Sequence, residues 1–403
     1  MAFRSKGSLS DLAVFGGPPV FSERLHVGRP NIGDRGRLLT RMNELLDRRW
    51  LTNNGPFVQE FEQRIAELSG VKHCVATCNA TAALEVAVRA LDLRGEVIVP
   101  AFTFIATAHA LRWQGLTPVF CDIDPRTHNI DPSEVMRHVT PRTTGILGVH
   151  LWGRPCEVDA LTDIARTRGL ALLFDAAHAF QCSYKGRMAG QFGHAEVFSF
   201  HATKCVNSGE GGAIVTNDDE LARRARLMIN FGFEAFDRVT SVGINAKMSE
   251  MSAAMGLTSL ESLHEFVGAA HRNYTAYECE LADLPGIRML AYDPSERSNY
   301  HYVILEIDEA VAQIGRDEVH QVLWAENVLA RRYFYPGCHR QQPYASDERV
   351  RQQRLPVTDA VAARVLCLPN GTAVGPEEVA AICRVIRFVA AKASEVQARL
   401  RGA

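Results

Sequence analysis

The sequence predicts an α/β protein, with a large domain built on a mostly parallel sheet flanked by helices and a smaller α+β domain at the C-terminal end. Two observations support this division. From about residue 40 to 230, short apolar segments alternate with segments of helical spacing, which is the pattern of a doubly wound sheet. After about residue 250, a long helical stretch leads into one strand, further helices and a loop rich in Pro, Gly and His. We therefore expect an N-terminal segment (1–35), a large domain (36–260) and a small domain (261–403).

The individual elements follow from the apolar periodicity of each segment. In the large domain, the predicted helices cover residues 37–48, 57–68, 81–91, 106–113, 132–138 and 157–167. The predicted strands cover residues 96–99, 117–121, 145–151, 170–174, 195–200 and 213–216. In the small domain, we expect a helix over 249–281, a strand over 300–307, a helix over 316–326 and a final helix from Pro376.

Composition excludes several classes of protein. The chain has 403 residues, of which 47% are apolar and 22% charged, and a formal net charge of −2, as in ordinary globular proteins. No basic tract of the kind that binds nucleic acid occurs. The ten cysteines form no CxxC pair, which is typical of reduced thiols in a cytoplasmic protein. No apolar run approaches the roughly 18 residues that span a bilayer, so we expect a cytoplasmic protein without a membrane partner.

Two residues point to cofactor chemistry. Lys204 lies between the predicted strand 195–200 and the glycine-rich segment 208–212 (SGEGG), and Asp175 directly follows the predicted strand 170–174. In parallel α/β sheets, ligands bind at the carboxyl ends of the strands. A carboxylate for a pyridinium nitrogen and a lysine for covalent attachment fit pyridoxal phosphate. Taken alone, the lysine could be a solvated surface residue, and the aspartate could cap a helix.

A third feature is a predicted helix that begins at residues 80–82 (ATA). The N-terminus of a helix binds phosphate through free amides and the helix dipole. The backbone at Ala80 and the hydroxyl of Thr81 are therefore candidates for binding the phosphate of a cofactor. Taken alone, Thr81 could also be a simple helix cap.

An ordered series of motifs resembles the DegT/StrS-type nucleotide-sugar aminotransferases, a branch of the fold-type-I pyridoxal-phosphate enzymes. The motifs run from Trp50-Leu51-Thr52 to Leu368-Pro369 and include segments 55–56 (GP) with 61–62 (FE), 79–84 (NATAAL), 99–104 (VPAFTF), 150–153 (HLWG), 175–178 (DAAH), the lysine segment and 243–254 (GINAKMSEMSAA). Among the subgroups, the chain is most similar to the C4 aminotransferases that act on dTDP-4-keto-6-deoxyglucose, as in desosamine-type pathways.

The resemblance implies roles for the residues around the cofactor. Lys204 holds the cofactor and later acts as the base that moves a proton, and Asp175 pairs with the pyridine nitrogen. Ser199 is a second phosphate ligand, Phe104 stacks on the ring, and His178 contacts the ring or its 3′-oxygen. Without the resemblance, Ser199 would be an ordinary strand residue, Phe104 a core residue and His178 a structural histidine. The family often has glycine at the position of Ala80, a change that leaves the amide available.

The resemblance also implies shared active sites and a sugar-nucleotide pocket. Asn245 and Lys247 occupy the family's G-x-N-x-[RK] motif. Its asparagine reaches the partner subunit's cofactor phosphate, so the expected assembly is a homodimer, and Lys247 is expected to bind the substrate. The family often has an aromatic residue at the position of Ile244. By analogy, the loop 335–343, with Tyr335, His339 and Gln342, lines the substrate pocket. The same loop could also be plain turn chemistry.

The expected function is amino transfer from L-glutamate to a keto-sugar nucleotide. Within the same fold, a C3 aminotransferase or a sugar dehydratase is an alternative, although dehydratases of the family carry histidine at the position of Lys204. A catalytically silent regulatory member is a third alternative. It would need the loss of a catalytic residue or an added DNA-binding segment, and the sequence has neither. No GxxxxGK[ST], HExxH or GxSxG motif occurs, which argues against a P-loop nucleotidase, a zinc protease or a serine hydrolase.

Overall fold

The computed structural model describes Phe3 and residues 6–402. In this part of the chain the central sheet has seven strands: β1 (His73–Thr77), β2 (Glu96–Pro100), β3 (Thr117–Cys121), β4 (Thr143–Val149), β5 (Ala171–Asp175), β6 (Ala195–Ser199) and β7 (Gly212–Thr216). Their spatial order is β1-β7-β6-β5-β4-β2-β3. Strand β7 runs antiparallel to both of its neighbours, and the other pairs are parallel. The prediction of a mostly parallel sheet is confirmed.

Helices pack on both faces of this sheet. Along β5, Leu172 and Phe174 contribute to one hydrophobic core, while Leu173 between them contributes to the core on the opposite face. This alternation is the two-residue period of a strand, and both faces are apolar because helices cover both. The helices between residues 35 and 261 are Arg35–Arg48, Pro56–Ser69, Ala80–Ala90, Ile105–Trp113, Pro132–His138, Val158–Arg168, Asp219–Met228 and Glu250–Glu261.

A second core lies around a small antiparallel sheet with the order β8 (Ile287–Met289), β9 (Val303–Ile307), β10 (Val365–Leu368). The remaining helices are Leu263–Leu281, Glu309–Ala312, Arg316–Ala325, Gln342–Ala345, Glu348–Gln352, Pro356–Arg364, Pro376–Ala391 and Ala393–Arg401. Short two-stranded pairs are Leu25–His26 with Val328–Leu329, Ser183–Tyr184 with Arg187–Met188, and Phe233–Ala235 with Arg238–Val239. Within the described residues, no helix combines the length and apolar character needed to cross a bilayer.

Several elements differ from the sequence prediction. Strands β1, β8 and β10 and the helix Pro356–Arg364 were not predicted. The helix Asp219–Met228 was also missed, although its buried residues Leu221, Ala225 and Met228 have helical spacing. The predicted helix over 249–281 is two helices, because Ser262 has ψ of 4° and its amide bonds to the carbonyl of Ser259 instead of that of Thr258. The second helix joins both cores, since Phe266 packs with the large core and Tyr277 with the small one. The domain boundary near residue 260 stays a prediction.

The N-terminal segment packs with the small core rather than forming a unit of its own. Leu12 and Phe21 are buried there. The Nζ atom of Lys6 forms a buried ion pair of 2.9 Å with Glu326, and Glu326 also accepts hydrogen bonds from the amides of Ala13 and Val20. A buried ion pair with all its hydrogen bonds made holds this segment against the small domain.

Candidate active site

Strand β6 and strand β7 are joined by the loop that carries Lys204. The loop folds back on itself, since Phe200 N–H donates to Gly211 O and Ala202 N–H donates to Gly209 O. Gly212 begins β7 and lies beside the start of the helix Ala80–Ala90. A Cβ atom at this position would lie 2.6 Å from the amide nitrogen of Ala80. Glycine is therefore needed at this position so that the lysine loop and the helix N-terminus can approach each other.

Asp175 ends β5, which neighbours β6 in the sheet. The carboxyl group is buried, with Oδ2 accepting a 2.8 Å hydrogen bond from Thr107 Oγ1 and Oδ1 accepting from the amide of Ala177 at 3.1 Å. Burial raises the pKa of Asp175, while these two bonds and the charge of Lys204 oppose that rise. No helix begins after Asp175, so the helix-cap interpretation is wrong. A nearby cation would therefore stabilise the ionised form of the Asp175 carboxyl group.

Lys204 is half-buried because it faces an open cavity, and protein atoms surround the rest of its side chain. Desolvation lowers the pKa of Lys204 from its ordinary 10.5 to about 8, although the charge of Asp175 acts in the opposite direction. The amino group donates a 3.0 Å hydrogen bond to Tyr302 Oη. A lysine whose pKa is close to neutral can act as a nucleophile or as a base, so the surface interpretation of Lys204 is wrong.

His178 is buried beside Lys204. Its Nδ1 accepts a 3.2 Å hydrogen bond from the backbone amide of Trp152, so the neutral ring carries its proton on Nε2. Burial and the neighbouring charge of Lys204 hold the pKa of His178 well below its usual range. The ring packs against Tyr302, with ring centres 4.3 Å apart, and stacks on Trp152. His178 is therefore a neutral hydrogen-bond donor at this cavity.

The anion-binding part of the site is the start of the helix Ala80–Ala90. Asn79 caps this helix, because its side chain accepts a 2.8 Å hydrogen bond from the amide of Ala82. The first amides of a helix have no partner within the helix. Ala80, Thr81 and Ser199 line the same cavity as Lys204. Free amides, a hydroxyl and the helix dipole at one end of a cavity fit a phosphate group.

The side chains of Asp175, His178 and Lys204 and the start of the helix Ala80–Ala90 line one cavity of about 270 Å³. Phe104 lies at its edge, where 54% of its surface is exposed, and contacts Phe334 edge to face. A ring so exposed is not a core residue, so that interpretation of Phe104 is wrong. The structure thus brings together Ala80, Thr81, Phe104, Asp175, His178, Ser199 and Lys204. A buried carboxylate, a lysine, an anion site and flanking rings are what pyridoxal phosphate requires, so the residues present fit this cofactor.

Two predicted residues do not line this cavity within the single chain. Asn245 is exposed, and its backbone bridges to Asn230. Lys247 donates a 2.9 Å hydrogen bond to Asn230 Oδ1 and lies over the ring of Phe231. The role of Asn245 toward a partner subunit and the role of Lys247 in substrate binding stay predictions.

The loop 335–343 lies beside a second cavity of about 580 Å³, which shares Phe104 and Phe334 with the first. Tyr335 lines it, lying against the guanidinium groups of Arg316 and Arg332. His339 is buried and bonds to Asp359 Oδ1 at 3.0 Å, outside both sets of lining residues. Gln342 begins the short helix after this loop. The substrate-binding roles of this loop stay predictions.

The sequence analysis missed the residues that support the site. Thr107 bonds to Asp175, Tyr302 bonds to Lys204, and the backbone of Trp152 bonds to His178. Trp152 lies in the HLWG motif, and Tyr302 lies in the strand predicted over 300–307, so both were within recognised segments. Nothing local in the sequence tells which atoms they contact, because each partner is 26 or more residues away.

Comparisons with known proteins identify the family of the chain. The sequence profile of the DegT/DnrJ/EryC1/StrS aminotransferase family matches residues 34–387. The chain is 36% identical over 366 residues to the dTDP-4-amino-4,6-dideoxy-D-glucose transaminase of Escherichia coli, covering 89% of this chain and 97% of that protein. It is 36% identical over 312 residues to the GDP-perosamine synthase of Caulobacter vibrioides, covering 75% of this chain and 82% of that one.

Solved structures are similar over nearly the whole length. The crystal structure of DesI in the presence of its TDP-sugar product matches with a TM-score of 0.94 and 54% identity, covering 98% of this chain and all of that one. The Helicobacter pylori aminotransferase PseC, involved in the biosynthesis of pseudaminic acid, matches with a TM-score of 0.84 and 26% identity, covering 91% and 99%. The chain therefore belongs to the DegT/DnrJ/EryC1/StrS aminotransferase family, and it is a fold-type-I aminotransferase that depends on pyridoxal phosphate.

Proposed function

We propose that the protein transfers an amino group from L-glutamate to C4 of dTDP-4-keto-6-deoxyglucose, in the biosynthesis of a deoxyaminosugar. The observation that supports amino transfer most directly is the convergence of Lys204 and Asp175 on one cavity with a helix N-terminus. The similarity to the Escherichia coli transaminase and to DesI with its TDP-sugar product supports the sugar and the nucleotide.

Each residue has a defined task in this proposal. Lys204 holds the cofactor covalently, and its free amine later moves a proton at the reacting carbon, a task suited to a base with a pKa of about 8. Asp175, whose carboxyl group accepts hydrogen bonds from Thr107 and the amide of Ala177, would pair with the pyridinium nitrogen. Pyridoxal phosphate, when bound, supplies the electron sink for the charge that develops on the substrate carbon.

The other lining residues orient the cofactor. The amides at Ala80 and Thr81, with the hydroxyls of Thr81 and Ser199, bind the phosphate group. Phe104 would pack against the ring, and the Nε2 proton of His178 would be available to the 3′-oxygen. These assignments use side chains that line the cavity.

We also propose that the active form is a cytoplasmic homodimer whose partner subunit completes each site. Asn245 and Lys247 lie outside the cavity of their own chain, as residues that serve the partner's site would. They follow a hairpin of exposed residues, 233–239, in which the side chain of Phe236 is 99% exposed. Phe233, Val239 and Val242 nearby are also exposed, and a group of exposed apolar side chains is typical of an interaction surface. The ten free cysteines fit a reducing compartment.

The test of this function is product analysis with purified protein. With L-glutamate and dTDP-4-keto-6-deoxyglucose, we expect 2-oxoglutarate and a sugar nucleotide with the amine at C4, identified by mass and by NMR. Lys204→Ala should abolish this turnover while the melting temperature and dimer mass stay those of a folded protein. Near-normal turnover in Lys204→Ala would contradict the proposal. An amine at C3, or loss of a hydroxyl group without gain of nitrogen, would assign the protein to the C3 aminotransferases or the dehydratases instead.

A further inference from the structure

Tyr302 is the polar side chain that contacts the amino group of Lys204. Lys204 Nζ lies 3.0 Å from Tyr302 Oη and 5.7 Å from the centre of the ring. Tyr302 precedes strand β9 of the small sheet, whereas Lys204 follows strand β6 of the large sheet. The hydrogen bond therefore joins the small sheet to the large sheet at the amino group of Lys204.

The position of the hydroxyl is fixed by packing. The Tyr302 ring has its centre 4.3 Å from that of His178, 5.4 Å from that of Trp152 and 4.9 Å from that of His301. Tyr292 Oη lies 2.9 Å from the carbonyl oxygen of Tyr302, which holds the backbone as well. A ring packed on several sides has no freedom to turn its hydroxyl away from Lys204.

A phenol hydroxyl can form a hydrogen bond with the amino group of Lys204 in both of its protonation states. Its oxygen accepts a hydrogen bond from an ammonium group, and its hydroxyl donates one to a neutral amine. A carboxylate in the same place would favour the ammonium form alone. Burial raises the pKa of Tyr302, so the hydroxyl keeps its own proton in both states. The other titratable groups that interact with Lys204 are Asp175, His178, His301 and Cys367.

We propose that Tyr302 is a further catalytic residue, whose hydroxyl holds the free amino group of Lys204 in place as that group changes between amine and ammonium. No proton is transferred to or from Tyr302 in this role. The proton that Lys204 takes from one carbon is the proton that it delivers to the next, and Tyr302 only reverses the direction of its hydrogen bond. This inference rests on the role of Lys204 proposed above.

The test uses Tyr302→Phe, which keeps the ring and removes the oxygen. The first readout is the rate at which cofactor-free protein captures pyridoxal phosphate, measured by visible absorbance across pH. A charge-assisted hydrogen bond is stronger than a neutral one, so losing it favours the amine, and the midpoint of capture should move to lower pH by roughly half a unit to one unit. The second readout is turnover, in which kcat should fall at least about tenfold while KM for the keto-sugar nucleotide changes less than about threefold.

Tyr277→Phe is the matched control. Tyr277 is also a buried tyrosine, and its hydroxyl bonds to Pro369 O in the small core, away from Lys204. This variant should keep the capture midpoint and kcat of the wild type, whatever it does to stability. The inference is overturned if Tyr302→Phe, folded as judged by its melting temperature, keeps both the midpoint and kcat of the wild type.

The capture measurement uses pyridoxal phosphate alone, so it does not depend on the sugar. A wild type that captures the cofactor but converts no keto-sugar nucleotide would contradict the proposed function, and the shift in Tyr302→Phe would still be measurable. Capture that is unchanged in Lys204→Ala would overturn the role of Lys204 and the inference on Tyr302 together.

Discussion

Thr107 Oγ1 donates a 2.8 Å hydrogen bond to Asp175 Oδ2, and both groups are buried. Thr107 lies in the helix Ile105–Trp113. This helix begins directly after Phe104, the aromatic residue at the edge of the cavity. One short segment therefore supplies both an aromatic ring at the edge of the cavity and a hydrogen bond to the carboxylate of Asp175. This contact makes Thr107 a positioning residue for Asp175.

Thr107→Val, which keeps the shape of the side chain, should weaken cofactor binding. The hydrogen bond from Thr107 lowers the pKa of Asp175, so its loss makes the carboxylate a poorer partner for the pyridinium nitrogen. A hydrogen bond to a charged group contributes about 1.5–3 kcal/mol, so we expect the Kd of pyridoxal phosphate to rise at least about tenfold. Absorbance titration of cofactor-free protein measures this.

Thr162→Val is the control for that variant. The Thr162 hydroxyl bonds to the Val158 carbonyl within its own helix, away from the cavity. Its Kd for pyridoxal phosphate should equal that of the wild type. If Thr107→Val binds the cofactor as tightly as this control does, Thr107 has no part in preparing Asp175.

Lys204→Met should stabilise the cofactor-free protein at neutral pH. In the folded state the pKa of Lys204 falls from 10.5 to about 8. Below pH 8 the folded protein therefore holds an ammonium group in the cavity, which lowers the free energy of unfolding. The full shift corresponds to about 3 kcal/mol, and solvent in the cavity with the loss of the Tyr302 contact reduces this to roughly 1–2 kcal/mol. Urea denaturation of both proteins at pH 7 measures the difference.

The same pair of proteins gives a pH dependence with a defined sign. Between about pH 8 and 10.5 the unfolded chain binds the Lys204 proton and the folded chain does not. The wild type should therefore gain stability relative to Lys204→Met as pH rises through this window. A difference that is constant from pH 7 to 10 would mean that the pKa of Lys204 is not lowered in the folded protein.

Glu326→Gln should destabilise the protein. The Glu326 carboxylate pairs with Lys6 and accepts two amide hydrogen bonds from the N-terminal segment, and its side chain is fully buried. Removing one member of a buried pair leaves the other charge unpaired, so the free energy of unfolding should fall by about 2–4 kcal/mol. The exposed pair of Arg166 and Asp163 serves as control, since Arg166→Ala should cost less than about 1 kcal/mol. Equal costs for the two variants would contradict this account of the N-terminal segment.

The sequence predicted most of the sheet and many of the helices because those features are local, whereas the roles of Phe104, His178 and Ser199 came only from the family resemblance. A run such as residues 170–174 shows its burial in its own composition, and Asp175 and Lys204 follow strands that could be recognised one at a time. Tyr302 and Thr107 could not be assigned in this way. Their contacts with Lys204 and Asp175 join segments 98 and 68 residues apart, and only the packing of the folded chain brings those atoms together.

Asn245 shows a different limit. Its predicted role concerns a partner subunit, and neither the pattern of the chain nor the fold of a single copy tests a contact between two copies. The predicted helix over 249–281 failed for a third reason, because apolar spacing continues through Ser262 while the backbone there leaves helical geometry.

The central claim is that Lys204 and Asp175 form a working amino-transfer site for a keto-sugar nucleotide. The most direct test follows the visible absorbance of the purified protein with pyridoxal phosphate bound, first on addition of L-glutamate and then of dTDP-4-keto-6-deoxyglucose. The account predicts a yellow protein that is bleached by glutamate and regains its colour with the keto sugar. A protein that stays colourless with added pyridoxal phosphate, or whose colour does not respond to glutamate, would contradict it.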